Sequence, residues 1–190
     1  LFAHGVWLSG KELELLEASH SALAICTDSN LKLASGIAPL GDMLKRHLSV
    51  AIGTDGVASN NNLDILEELS TTAKLHKAIN SDPEFLPARE AFALLTIEGA
   101  RALGKAQDLG SLQAGKCADL LIINLQNLQS QPLYHPYSQL VYALGAEQIR
   151  DVMIAGNFVL KDHKLTHLDE AELISTAQEY QSKILKELKP

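Results

Sequence analysis

Cysteine is scarce: only Cys26 and Cys117 occur in 190 residues, far apart in the chain. They match no paired-thiol zinc spacing, so a disulfide framework and a zinc ribbon are both poorly supported, and a reducing compartment fits. No run of about 18 apolar residues is present to cross a membrane. The opening LFAHGVWLSG lacks the basic region and the long apolar stretch of a signal peptide. Lys and Arg nowhere cluster, and the net charge of -7 lies in scattered acids, so nucleic acid is not an expected partner. The phosphate-cradling patterns GxGxxG and GxxxxGK are missing, as is the GxSxG nucleophile elbow, which removes support for nucleotide-triphosphate and serine-hydrolase chemistry. No solenoid period or low-complexity tract is seen. What remains is ordinary globular composition, 46% hydrophobic and 21% charged, sufficient to bury a sizeable core. A cytoplasmic location is expected.

The order of elements is more informative. LFAHGVWL reads as a short strand ending near Gly5, and GKELELLEAS as a surface helix carrying Leu13, Leu15 and Leu16. SALAICT reads as a buried strand, SNLKLASGIAP as a loop, and LGDMLKRHL as an amphipathic helix with cations in its last turn. HLSVAIGTDG is a third strand, followed by a long helix in NNLDILEELSTTAKLHKAI, with Leu63, Leu66 and Leu69 on one face and an Asn to cap it. Three βα units in tandem imply a parallel sheet with right-handed crossovers. Such folds gather their chemistry at the carboxyl ends of the strands, which puts His4, the Thr27 to Ser35 loop and Asp55 on one rim. Beyond Pro83 the pattern changes. PAREAFALLTIEGARALG predicts one helix stopped by Gly104, the run after GSLQAGKCAD predicts a strand, and IRDVMIAGNFVLKDHKL predicts a hairpin around Ala155, Gly156 and Asn157. YSQLVYAL and DEAELISTAQEYQSKILKEL predict helices, the second packed on the outside. The chain opens on Leu1 within what reads as a strand, so an upstream portion is expected.

Asp55 is the sharpest candidate for chemistry. It ends an apolar strand between Gly53 and Gly56, which allow tight turning, and a lone carboxylate there needs compensation by a metal or by neighbouring donors. Capping of the following helix is an equally open role. His4 holds the corresponding place on the first strand, where an imidazole can ligate a metal, orient a hydroxide, act as general acid or base, or simply belong to the core. Ser29, Asn30 and Lys32 either bind substrate or pin their loop, and the amides of ASNNN, residues 58 to 62, either brace the Asp55 turn or cap the helix. The remaining histidines, His20, His47, His76, His135, His163 and His167, read as solvated or capping residues.

HGVWL, SNLKLASGIAP, GTDGVASNNNLDILEE, PAREAFALLTIEGARALG and GSLQAGKCADL, in this order, resemble the C-terminal part of amidohydrolase-superfamily deaminases. The likeness covers essentially the whole chain. It is narrowest to the methylthioadenosine/S-adenosylhomocysteine deaminase family, which groups with guanine deaminases, cytosine deaminases and triazine chlorohydrolases. The resemblance implies an α/β fold, a partial metal-dependent TIM barrel of about strands six to eight with their helices, plus the C-terminal part of a small β-sandwich domain. Residues 1–105 would be barrel, 106–165 the β-sandwich portion with an inserted helix, and 166–190 a C-terminal helix.

By the same resemblance Asp55 binds a divalent metal, zinc or iron, contacts substrate and moves a proton, while His4 contacts the hydroxide or the tetrahedral centre. Asn30 joins Asp55 as a substrate-binding residue. The implied reaction is hydrolytic deamination of a purine nucleoside or amino-heterocycle, by a protein that is a homo-oligomer when full length and works without nucleic acid or membrane. The family's HxH pair, a later metal-binding histidine and a ring-protonating glutamate have no counterparts in these residues, so the isolated chain is expected to be inactive. At Ile25 the family commonly begins H-x-P-x-S-N; this chain reads ICTDSN, with Thr27 at the proline position. Two other readings are a guanine or cytosine deaminase or triazine chlorohydrolase on the same Asp55, and a non-catalytic barrel remnant that acts by association.

Overall fold

Three short apolar runs, each followed by helix, form three parallel strands in the computed structural model, which describes residues 1–188. Strands β1 (Phe2–Ala3), β2 (Ala22–Ile25) and β3 (Ser49–Ile52) stand in the order β1-β2-β3, with Leu23 opposite Phe2 on one side and Val50 on the other. Parallel neighbours require crossovers, and the helices supply them. Helix α1 (Gly10–Ala18) returns the chain from β1 to β2, started by a capping box in which Ser9 and Glu12 satisfy each other's backbone N–H. Helices α2 (Thr27–Lys32) and α3 (Leu40–Lys45) stand between β2 and β3, and α4 (Val57–Asn60) and α5 (Ile65–Asn80) follow β3. Leu23 and Ile25 of β2, Leu40 and Met43 of α3, Val50 of β3 and Leu69 of α5 are buried in one cluster. Helices α6 (Ala88–Leu95), α7 (Ile97–Ala102) and α8 (Pro136–Tyr142) follow, and Ala91, Leu94 and Val141 extend that core.

Several local expectations are corrected. Residues 27–32 are helix rather than loop, although Thr, Asp, Ser and Asn are weak helix formers. The N-terminal donors of α2 are satisfied from α5 instead: Asp28 N–H donates to Glu68 Oε1 at 3.0 Å, and the Thr27 and Thr72 hydroxyls meet at 2.6 Å. The cap of α5 is Asp64, whose carboxylate accepts the N–H groups of Leu66 and Glu67. Leu63 therefore lies outside the helix and is exposed, while Leu66 and Leu69 are buried as expected. The single helix expected after Pro87 breaks at Thr96, where φ is -115° and ψ is -100°. A side chain on Gly110 would come within 2.9 Å of the Thr96 carbonyl, so this break is where the following loop packs against the helix pair.

The chain forms two compact units. The first comprises Leu1–Cys117 and Leu125–Gln148, and the second Ala118–Asn124 with the chain from Ile149 onward. The second unit is an antiparallel sheet of β4 (Leu120–Ile123), β5 (Ile149–Ile154), β6 (Asn157–Lys161) and β7 (Lys164–Leu165), in that order. The predicted hairpin is present. Ala155 and Gly156 take φ of 48° and 79°, the pair of left-handed residues that a two-residue turn needs to match strand twist. Asp162 and His163 make the next turn in the same way, and buried Asp151 accepts the Asp162 N–H at 2.8 Å. Helix α9 (Glu170–Glu187) is capped by Asp169, and every one of its residues is exposed, contrary to the expectation of outside packing. Residues 189 and 190 of the expected C-terminal helix lie outside the described residues. Among those described, no helix is long and apolar enough to cross a membrane, and both cysteines are free thiols.

Helix α5 buries polar groups as well as Leu69. His76, read from sequence as solvated, is 1% exposed, and burial pushes its pKa down to about 4. Glu68 is fully buried, and burial, with the nearby Asp28 charge, pushes its carboxyl up to about 7. The two act on stability with opposite sign. The unfolded chain binds the extra His76 proton, so stability falls as pH drops from 6.5 towards 4. The folded chain binds the extra Glu68 proton, so stability falls as pH rises from 4.5 towards 7.

In urea unfolding across pH 4 to 8, His76→Leu is expected to leave stability falling steadily through the acid window, and Glu68→Gln to leave it rising. Each slope is bounded at about 1.4 kcal/mol per pH unit for one proton; parallel profiles for both variants and the parent would refute the assignment. Leu69→Ala, at a fully buried position, is expected to cost about 2–5 kcal/mol and to lower the urea midpoint with little change in slope.

Candidate functional site

His4 follows β1 and Asp55 follows β3, on the two strands that flank β2. Two strand spacings amount to about 9.5 Å, yet His4 Nε2 and Asp55 Oδ2 are 3.9 Å apart. The side chains lean towards each other over the end of β2. Both backbones are left-handed, with φ of 67° at His4 and 61° at Asp55, a region non-glycine residues rarely occupy. The flanking glycines were expected to supply this turn. Instead Asp55 itself takes the positive φ, while Gly56 at -83° is the extended residue before α4. Backbone strain of this kind costs on the order of 1–3 kcal/mol per residue and persists where surrounding contacts overdetermine it.

Those contacts are hydroxyls and an amide. Ser29 of α2 donates to Asp55 Oδ2 at 2.7 Å, and Ser59 of α4 donates to the same oxygen at 2.6 Å. The Ser59 hydroxyl, then that of Ser29, then the Gly56 N–H hold the Asp55 carboxyl down at about 2. Asp55 is therefore an anion throughout the neutral range, with its side chain 33% exposed. His4 Nδ1 lies 2.9 Å from Asn30 Oδ1. An amide oxygen only accepts, so Nδ1 carries a proton there, and Nε2 is the nitrogen that faces Asp55. The buried Cys26 thiol, at the end of β2, faces the backbone N–H groups of Asp55 and His4; burial first, then the Glu68 and Asp55 charges, pushes its pKa up to about 11. It is a protonated filler at neutral pH, without the thiolate a nucleophile requires.

An open recess of about 330 Å³ is lined by His4, Asp55, Ser29, Asn30 and Ser35 together with Val6, Trp7 and Leu33. Gly36, at φ +118°, lets the loop after α2 close against Val6, since a side chain there would sit 2.7 Å from Val6 Cγ1. Apolar side chains with a few convergent polar groups are the usual make-up of a small-molecule site.

The geometry thus brings together all three residues singled out from sequence, His4, Asn30 and Asp55. Lys32, also considered, pins structure: its Nζ donates to the Ala58 carbonyl and to Asn61. The asparagines brace the chain as expected, Asn60 Oδ1 accepting from Asn62 and Leu63 N–H. Two partners of Asp55 escaped notice in that role, Ser59 altogether and Ser29 as a carboxylate donor. Glu68 escaped too, although its i+4 and i+8 relation to Thr72 and His76 places three polar residues on the buried face of α5.

A divalent cation suits this corner. Carboxylate oxygens and imidazole nitrogens are both zinc ligands, and here one of each stands 3.9 Å apart. Among the described residues no three His, Cys, Asp or Glu groups converge, so this pair does not by itself make a closed metal site.

Residues 1–159 match the amidohydrolase family. The chain is 43% identical over 175 residues to the 5-methylthioadenosine/S-adenosylhomocysteine deaminase of Thermodesulfovibrio yellowstonii, which covers 92% of this chain and 40% of that protein. An adenosine deaminase of Xanthomonas campestris, solved with bound zinc, superposes with a TM-score of 0.94 at 40% identity, covering 98% of this chain and 43% of its own. The atrazine chlorohydrolase TrzN of Arthrobacter aurescens TC1, complexed with zinc, superposes with a TM-score of 0.87 at 25% identity, covering 94% and 40%. The chain spans about two fifths of the length of each of these relatives.

The two hydroxyls are separable by titration. Ser59→Ala and Ser29→Ala are each expected to raise the Asp55 carboxyl from about 2 towards its ordinary 3.8, and the double variant to raise it furthest. Side-chain ¹³C NMR of Asp55 between pH 1.5 and 6 reads this directly. Because the folded value lies below the unfolded one, the associated stability is present above pH 3.8 and lost as pH falls towards 2. An unmoved midpoint in the double variant would show that the hydroxyls do not set it.

Proposed function

Since the chain belongs to the amidohydrolase family, we propose that it is the C-terminal part of a metal-dependent hydrolase that deaminates adenosine-type nucleosides of the methylthioadenosine/S-adenosylhomocysteine class. The observation that carries this reading is the facing pair, Asp55 Oδ2 and His4 Nε2 at 3.9 Å, at the mouth of a recess. The 43% identity to a deaminase of that class supports the substrate, and the zinc-bound neighbours support zinc as the metal. On this reading residues 1–105 are strands six to eight of a (β/α)8 barrel with their helices. Residues 106–165 are a β-sandwich portion with an inserted helix, and 166–190 are a C-terminal helix. The full-length protein is cytoplasmic and pairs with itself.

Asp55 is the residue of this chain that holds the metal. A bound divalent cation lowers the pKa of water from 15.7 towards 7 and so supplies a nucleophile at neutral pH. The chain's own groups do the rest. His4, its Nδ1–H anchored on Asn30 Oδ1, offers Nε2 to an O–H of the attacking water and orients it. Asp55 takes the proton that the water loses as its oxygen bonds to the ring carbon, and passes it to the amino nitrogen as the carbon–nitrogen bond breaks. Water is consumed, ammonia leaves, and the adenine-type ring becomes a hypoxanthine-type ring. Asp55 suits the work of metal ligand because its two hydroxyl donors keep it charged in the absence of any cation. Asn30 orients the imidazole and stands in the recess wall beside the substrate.

A second reading keeps Asp55 and the metal and changes the leaving group, as the likeness to a chlorohydrolase allows. Product analysis of the complete gene product decides between them. Ammonia from methylthioadenosine, S-adenosylhomocysteine or 5′-deoxyadenosine is expected, with a loss of roughly 10²–10⁴-fold in kcat on Asp55→Asn or His4→Asn, the range for a group that moves or orients a proton. Chloride from a chlorotriazine with no ammonia from any nucleoside would favour the second reading. Neither product, with zinc bound, would leave a barrel remnant that acts by association.

A further inference from the structure

The two hydroxyls on Asp55 come from different elements, and something must keep those elements in register. Ser29 belongs to α2 and Ser59 to α4, which is a single turn of four residues with no side-chain cap and no buried residue. Each hydroxyl has a neighbour one residue away that is tied to Glu68. Asp28 N–H donates to Glu68 Oε1 at 3.0 Å, and Asn60 Nδ2 donates to Glu68 Oε2 at 3.2 Å. Glu68 is fully buried on the longest helix of the first unit, where a carboxyl group has no solvent to turn to and depends on protein partners.

We infer that Glu68 is a positioning residue for the proposed reaction: one carboxyl group, with an oxygen for each arm, fixes Ser29 and Ser59 so that both aim at one oxygen of Asp55. This rests on the reading of Asp55 as the working carboxylate. The arms are unequal. Helix α2 is held to α5 a second time, by Thr27 on Thr72 at 2.6 Å. The α4 turn has no hydroxyl pair of this kind; just beyond it Asn62 donates to Glu67 of α5, and on the exposed side Lys32 donates to Ala58 and Asn61. Asn60 is the tie to α5 nearest Ser59, one residue away, and Glu68 holds Asn60. A hydroxyl displaced by 1 Å from 2.6 Å no longer makes a hydrogen bond, so small slippage of the turn suffices to uncouple it.

The test reads contacts, not turnover, so it stands apart from whether the deaminase reading survives. Crystal structures of the variant chains at pH 7, with the hydroxyl-proton and Asp55 ¹³Cγ resonances in solution, report each serine separately. In Asn60→Ala, which cuts one arm along with the brace that Asn60 gives Asn62 and Leu63 N–H, the Ser59 contact with Asp55 is expected to be lost and the Ser29 contact kept. Glu68→Leu is expected to lose the Ser59 contact as well. Should Glu68→Leu not fold, the asymmetry in Asn60→Ala decides. Retention of both contacts in folded Asn60→Ala, or their joint loss there, would overturn the inference, as would intact contacts in folded Glu68→Leu.

Discussion

A carboxylate that accepts two hydroxyl protons on one oxygen is the constraint from which the rest of the first unit takes its arrangement. Serine hydroxyls reach only a few ångströms, so α2 and α4 must both be brought to the end of β3 for Asp55 to be held. Neither helix is long enough to stand by itself. Their positions come instead from α5, which supplies Thr72 and Glu68 to the start of α2 and, through Asn60, to the α4 turn. The polar face of α5 is thus built into the interior for the sake of the rim, and its buried Glu68 gives up stability at neutral pH that an apolar residue would keep.

That trade explains which parts of the chain were legible beforehand. The strands read correctly because apolar runs of four or so residues between turn formers have few other uses, and the rim placement of His4 and Asp55 followed from strand order alone. The hairpin at Ala155–Gly156 read correctly because two extended runs flank a short glycine-containing turn, although Ala155 takes a positive φ that its residue type rarely adopts. Helix α2 did not. Its TDSNLK sequence has the weak intrinsic preference of a loop, and its donors are satisfied by side chains some 40 positions away, which no local window contains. The break at Thr96 was hidden for the same reason: the loop around Gly110 causes it.

At the site itself the sequence named the acid, the imidazole and the asparagine but not the means of holding them. Asn30 was visible as a polar residue beside the rim; its bond to His4 Nδ1, which chooses the tautomer, was not. Gly53 and Gly56 suggested a glycine-borne turn, whereas the left-handed residue is Asp55. A glycine signal in sequence marks a neighbourhood where backbone freedom is needed, and tertiary contacts then select which residue takes the strain.

Two strained residues side by side in one recess also bear on how such a corner works. With φ of 67° and 61°, His4 and Asp55 each sit in a conformation that an unconstrained chain would leave. They are kept there by bonds made entirely within the chain: His4 to Asn30, Asp55 to Ser29 and Ser59. The charge on Asp55 and the orientation of the His4 ring are consequently set by the chain itself. A ligand that bridges them need not reorganise either side chain, and binding energy that would otherwise go to ordering the site is available to orient the reacting atoms. An acid freed of its hydroxyl partners would still be an acid, yet it would have to find its position at each encounter.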